Sequence, residues 1–216
     1  MINESYSWKK ELHKNYANIV KFSFNKNRED KDYVILEKSL IMGAYICRKL
    51  YESEKLPPLF LKNKEMIRSS KLFDGKLVDS FNSHKIDTNY DLEKSLQIEK
   101  DWEFILNQMI HSYVIFYVFN NNDELIGVLV NSSNVKDKEI LFVPLQRIYK
   151  IFLSIACGDL ISKKSEREIL GYTPTGKPKL GRMIYKEGKY SYPKRFDINK
   201  IVENSILGTI YKKQGL

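Results

Sequence analysis

The sequence predicts an α+β fold: N-terminal helices packed on a small antiparallel sheet (a β-meander plus a hairpin), then a helix and a basic, turn-rich C-terminal region. Three observations carry this. Two long stretches near the N-terminus repeat apolar residues at helical spacing. Three short apolar runs between residues 114 and 143 are joined by brief polar links, as antiparallel neighbours require. Positive charge and turn-forming residues then concentrate after residue 161.

Residues 5–20 read as a first helix, with Trp8, Leu12, Tyr16 and Ile19 recurring on one side. Residues 31–54 read as a second, whose stripe is Leu36, Leu40, Gly43, Cys47 and Leu50. Ile41, Ala44, Tyr45 and Ile46 fill its other sides, which predicts burial on several faces, and Pro57-Pro58 stops it. Asp74-Gly75 suits a tight turn and lies between runs 68–73 and 76–81, so a hairpin is expected there. Residues 91–112 read as a third helix, with Leu92, Leu96, Trp102, Ile105, Leu106 and Met109 on its packing side.

The meander follows as strands 114–119, 125–131 and 139–143. These runs do not alternate polar with apolar, so both sheet faces need cover. Helices are expected on one face; the first hairpin, the C-terminal region or another subunit is expected on the other. Pro144 opens a helix reaching Cys157, with Leu145, Ile148, Phe152 and Ile155 inward, Arg147 and Lys150 outward, and Gly158 ending it. A last hairpin is expected over 183–192, turning at Glu187-Gly188, and 201–210 reads as a short docking helix.

Composition bounds the function. With 216 residues and 43% hydrophobic content the chain can bury a core, which argues against disorder. Cys47 and Cys157 cannot supply a disulfide framework or a four-thiolate zinc site. Trp8, Lys9, Lys10 and Glu11 fall where the apolar part of a signal peptide would run. The most apolar stretch, 39–47, is under half of the ~20 residues that span a bilayer. A cytoplasmic protein with no membrane span and no cofactor is therefore expected.

The formal charge is 36 − 27 = +9, unevenly spread. Residues 1–161 hold 23 basic and 22 acidic side chains, a net of +1; residues 162–216 hold 13 and 5, a net of +8. This predicts a globular body over 1–161 and a basic segment over 162–216, packed on the body or extending from it. Lysine and arginine neutralise phosphates, and aromatic faces stack on unpaired bases. Lys177, Lys179, Arg182, Lys189, Lys194 and Arg195 are the candidate phosphate contacts, and Tyr185, Tyr190 and Tyr192 the candidate stacking rings. RNA or a single strand is the favoured partner on this reading; a solvated basic tail is the plainer one.

Two motifs bear on chemistry. Gly171 to Lys177 (GYTPTGK) matches seven positions of the nucleotide phosphate-loop pattern, but Pro178 replaces the magnesium-binding hydroxyl and removes a backbone donor. It reads instead as a turn-rich linker. His13, His84 and His111 do not cluster with other ligands, so no metal site is predicted.

Asn107 and His111 lie four apart on the expected third helix and so share a face. The stretch Leu106-Asn107-Gln108-Met109-Ile110-His111 resembles the short motif of HEPN-type ribonucleases, in which an arginine and a polar residue precede a histidine on one helix. The resemblance implies metal-independent RNA cleavage at an interface between two helical subunits, with Asn107 and His111 in the matching positions. Leu106 stands where the family's arginine belongs, and Arg48 is the residue expected to supply the cation from a neighbouring element. A third class is a homo-oligomer or a protein-interaction subunit of a bacterial assembly, with the apolar strands and residues 201–210 as partner surfaces.

Overall fold

A computed structural model describes residues 4–213, so residues 214–216 of the expected basic segment lie outside the described residues. Two helices, α1 (Tyr6–Phe24) and α2 (Asp30–Glu52), open the chain and pack on each other. Glu29 and Asp32 form a reciprocal capping box that starts α2. Arg28 ties the turn before it to the sheet. It donates to the Phe22 and Ser23 carbonyls, pairs with Asp123 at 2.7 Å, and lies over the Phe22 and Phe119 rings.

The sheet strands are β1 (Lys64–Lys71), β2 (Leu96–Asp101), β3 (Ser112–Phe119), β4 (Leu125–Ser132) and β5 (Glu139–Pro144). They are ordered β2-β1-β5-β4-β3 with every pairing antiparallel. Between the strands lie α3 (Ile86–Asn89) and α4 (Trp102–Ile110). After the sheet come α5 (Leu145–Cys157), β6 (Asp159–Tyr172), β7 (Pro178–Ser191) and α6 (Ile198–Ile206).

Side chains from both sheet faces are buried, as unbroken apolar strands require. Ile67, Val128, Val130, Leu141 and Val143 join the core built from α1, α2, α4 and α5. Val114, Leu129 and Ile140 on the opposite face meet Leu72, Val78, Ile86 and Tyr90. That cover is the 72–92 connection carrying α3. Its Tyr90 hydroxyl donates to the Lys136 carbonyl at 2.6 Å and accepts from Asn131 at 2.8 Å. The segment expected to form the first hairpin does cover this face, but not as a hairpin. Asp74-Gly75 makes its turn, with Gly75 at φ 74° and the Lys76 N–H donating to the Phe73 carbonyl. Residues 76–81 then have no edge to join, because β1 is paired on both sides.

The expected helix over 91–112 is also corrected. Residues 96–101 are strand β2, the sheet's edge, and the helix begins only at Trp102, where the Asp101 carboxylate caps it by accepting from the Phe104 N–H at 2.8 Å. Pairing with β1 outweighs the helical pattern, and Leu92 and Leu96 lie exposed instead of packed. Helix α2 buries its predicted stripe, yet Val34, Ile35, Met42 and Tyr45 remain exposed, so its apolar middle is not covered on every side. Arg147 and Lys150 do not simply face water. Both pair with the buried Glu65 carboxylate, at 3.1 and 2.6 Å.

The docking helix is Ile198–Ile206, not 201–210; its Ser205 hydroxyl lies 2.7 Å from the Tyr16 hydroxyl of α1. Among the described residues no helix is long and apolar enough to cross a membrane.

Gly43 lets α2 and α5 approach. A Cβ built there falls 2.2 Å from the Phe152 ring, which is fully buried. Gly43→Val therefore overpacks the helix–helix contact and lowers stability by about 1–3 kcal/mol. Thermal melting checks this, and combining it with Phe152→Leu recovers part of the loss.

Candidate nucleic-acid interface

The basic segment is not turn-rich. Strands β6 and β7 form a separate two-stranded antiparallel ribbon, each strand 14 residues long. At roughly 3.3 Å per residue the ribbon extends about 40 Å. Residue 162 lies inside β6, so the division expected at 161/162 falls within a strand. Glu187 and Gly188, expected at a turn, are paired with Lys164 and Lys163 in mid-ribbon.

The chain reverses at 173–177. The Thr173 N–H donates to the Lys177 carbonyl at 2.8 Å, and the Gly176 N–H donates to the Thr173 carbonyl at 2.9 Å. Pro174 occupies the second position of this turn, and Gly176 takes the left-handed angle, φ 78°. The phosphate-loop look-alike is thus the tip of a hairpin, and no helix follows it to present amides to a phosphate.

The root is held firmly. The Lys9 ammonium, buried in α1, donates to the Gly158 carbonyl at 2.5 Å and to Asp159 at 3.0 Å. Burial lowers the Lys9 pKa against the opposing pull of Asp159. The Tyr190 hydroxyl donates to the Ile155 carbonyl at 2.8 Å, and its ring meets Phe60 edge-on at 5.0 Å between centroids. Lys163 pairs with Glu54 beside the root.

These contacts sort the candidate residues. Tyr190 is spent on the root, and burial drives its hydroxyl pKa far up. Tyr192 stacks on Phe196, with centroids 4.7 Å apart and planes 2° from parallel; burial, opposed by a hydrogen bond with Ser154, lifts its pKa to about 12. Tyr185 lies under the Lys163 ammonium, its hydroxyl crowded against Gly188. Of the three rings expected to stack on bases, Tyr190 and Tyr192 are engaged at the ribbon root, and Tyr185 packs within the ribbon beside Gly188 and Lys163.

The cations fare differently. Lys177, Lys179, Lys189, Lys194 and Arg195 are exposed, and none has an ion-pair partner among the described residues. Arg182 reaches Glu168 only at 3.8 Å, with 83% of its side chain exposed. Lys177, Lys179 and Arg182 gather toward the tip. Lys189 sits near the root, and Lys194 and Arg195 lie in the loop after β7, so the six do not form one patch. Over 159–191 there are 8 basic and 4 acidic residues, a net of +4. Exposed Ile169, Leu170, Tyr172, Leu180 and Met183, which composition gave no reason to place together, stand among them.

In the second candidate set, Arg48 meets Asn107 but does not line the groove that Asn107 shares with His111. Asn107, on α4, accepts a hydrogen bond from the Arg48 guanidinium of α2, which also pairs with Glu52 at 2.9 Å. His111 caps α4, its N–H donating to the Asn107 carbonyl at 3.0 Å. Asn107 and His111 both line an open groove of about 540 Å³ with Phe104, Gln108 and residues 132–135. Leu106 is fully buried. Among the described residues no group of three or more His, Cys, Asp or Glu is placed to hold a metal. Cys47 and Cys157 are buried, and burial raises both thiols, Cys157 to about 12, so neither is a ready nucleophile.

No family model matches this chain, and no solved structure gives a significant match.

The Lys9 anchor has a measurable weight. Lys9→Ala strips a donor from the Gly158 carbonyl and a partner from Asp159, lowering stability by about 1–3 kcal/mol. Backbone amide exchange should speed up around 159–161 and 189–191 while the sheet stays protected.

Proposed function

We propose that this protein is a nucleic-acid-contacting module, without catalysis of its own, whose contact element is the β6–β7 ribbon. The observation that carries the reading is a separate ribbon whose tip cations Lys177 and Lys179 stand in solvent with no ion-pair partner among the described residues, while Arg182 meets Glu168 only at 3.8 Å. Such cations bind phosphate by releasing condensed counterions, a gain that depends steeply on salt. The body, close to neutral, holds the ribbon root rigid through Lys9 and Tyr190. Engagement of Tyr190 and Tyr192 at the root leaves Tyr172, exposed near the tip, as the ring still free to stack on an unpaired base, a thin basis for preferring single strands.

Replacing Lys177, Lys179 and Arg182 together by alanine should weaken binding to labelled oligonucleotides. It should also lower the slope of log affinity against log salt by about 2–3, at roughly 0.7–0.9 per phosphate contact. Because the three side chains lie far from the core, the melting temperature should hold. An unchanged slope would falsify the reading.

A second reading rests on the hydrogen bond between Arg48 and Asn107 beside His111. It is a metal-independent ribonuclease in which His111 moves a proton at the ribose or leaving oxygen and Arg48 offsets charge on the phosphate. RNA cleavage that persists in chelator and disappears in His111→Ala supports it. No cleavage across RNAs of varied sequence and structure rules it out.

A further inference from the structure

We propose that the β6–β7 ribbon seats in the major groove of B-form duplex DNA; this rests on the reading that the ribbon contacts nucleic acid and names the partner's form.

The shape argues for a groove. Two hydrogen-bonded strands lie about 4.8 Å apart, so with side chains the ribbon is about as wide as the ~12 Å major groove that admits a two-stranded ribbon. A-form RNA closes that groove to side chains, and its open minor groove is shallow. A single strand has no walls, and with Tyr190 and Tyr192 engaged at the root only Tyr172 of the described ribbon tyrosines stands exposed near the tip.

The side chains toward the tip suit both parts of such a groove. Ile169 and Leu180 are cross-strand partners, each more than half exposed, about 30 Å from the root. Aliphatic groups pack on thymine methyls, which line the major groove. Arg182 lies two positions from Leu180 on β7, and Lys177 and Lys179 lie at the tip end of the same strand, so the three can reach phosphates along one side of the groove. Gly171, Gly176 and Gly181 keep the end of the ribbon thin, and the hydrogen-bonded turn from Thr173 to Lys177 keeps it closed. An isolated two-stranded ribbon is marginal in water, and this one packs mainly on itself, so a partner along its length would also stabilise it. Charge selects the kind of partner, because the net +4 of the ribbon suits a polyanion.

The test uses the full chain and fluorescence anisotropy with three probes of one sequence: a DNA duplex of about two helical turns, one of its strands alone, and the matching RNA duplex. The DNA duplex should bind at least about tenfold more tightly than either of the others. Methyl green, which occupies the major groove, should displace the protein; netropsin, which occupies the minor groove, should not. Ile169→Asp with Leu180→Asp should cost about tenfold in duplex affinity, the scale of losing good base-edge contacts, with an unchanged melting temperature. Equal or tighter binding to the single strand or to duplex RNA, or displacement by netropsin alone, overturns this inference while leaving the ribbon as a nucleic-acid contact. Failure to bind any probe overturns both readings. In that case, a doubled solution mass that the two aspartates abolish would identify a second copy of this chain as the ribbon's partner.

Discussion

The constraint on which the structure depends is the apolar character of the central strands on both faces. Val128, Val130, Leu141 and Val143 must be covered on one side, and Val114, Leu129 and Ile140 on the other. Four helices answer the first demand; the 72–92 connection, closed by Tyr90 and Asn131, answers the second. After Gly158 the chain leaves α5, and 159–191 pairs with itself as a ribbon instead of extending either edge of the sheet.

A ribbon of that kind needs a stiff attachment, and the attachment determines which residues remain free. Lys9, Tyr190 and the Tyr192–Phe196 stack are buried or packed at the root, where a polar group without partners would be costly. The tip has no such requirement, so its cations and aliphatic side chains stay in water. Root and tip divide a set of residues that look uniform along the sequence: Tyr190 and Tyr192 pack at the root, while Lys177, Lys179 and Arg182 lie toward the tip. The proposed contact lies at the tip, where aliphatic groups and the Lys177 and Lys179 charges are exposed to solvent.

The groove beside His111 illustrates a different relation between sequence and space. Asn107 and His111 come from one helical turn, and their neighbourhood could be anticipated. Arg48 lies 59 positions away from Asn107, and only the packing of α2 on α4 brings its guanidinium to that residue. Glu52 shares the same guanidinium, which tempers its charge. Leu106 meanwhile belongs to the core.

The sequence by itself determined the α+β class, the first two helices, the three-stranded meander and α5, because each has a local signature: helical or unbroken apolar runs, Pro144, Gly158. It also located the excess charge. The tertiary structure decided what local signals could not. Leu96 to Asp101 became strand by pairing with β1, and with that edge taken by 96–101 and the other by β5, Asp74-Gly75 turned without making a hairpin. The bulged, imperfectly alternating ribbon concealed its register until both strands were seen together. Whether a tyrosine among lysines stacks outward or seals a root depends on what lies beneath it, and that is a property of distant residues such as Lys9, Phe60 and Ile155.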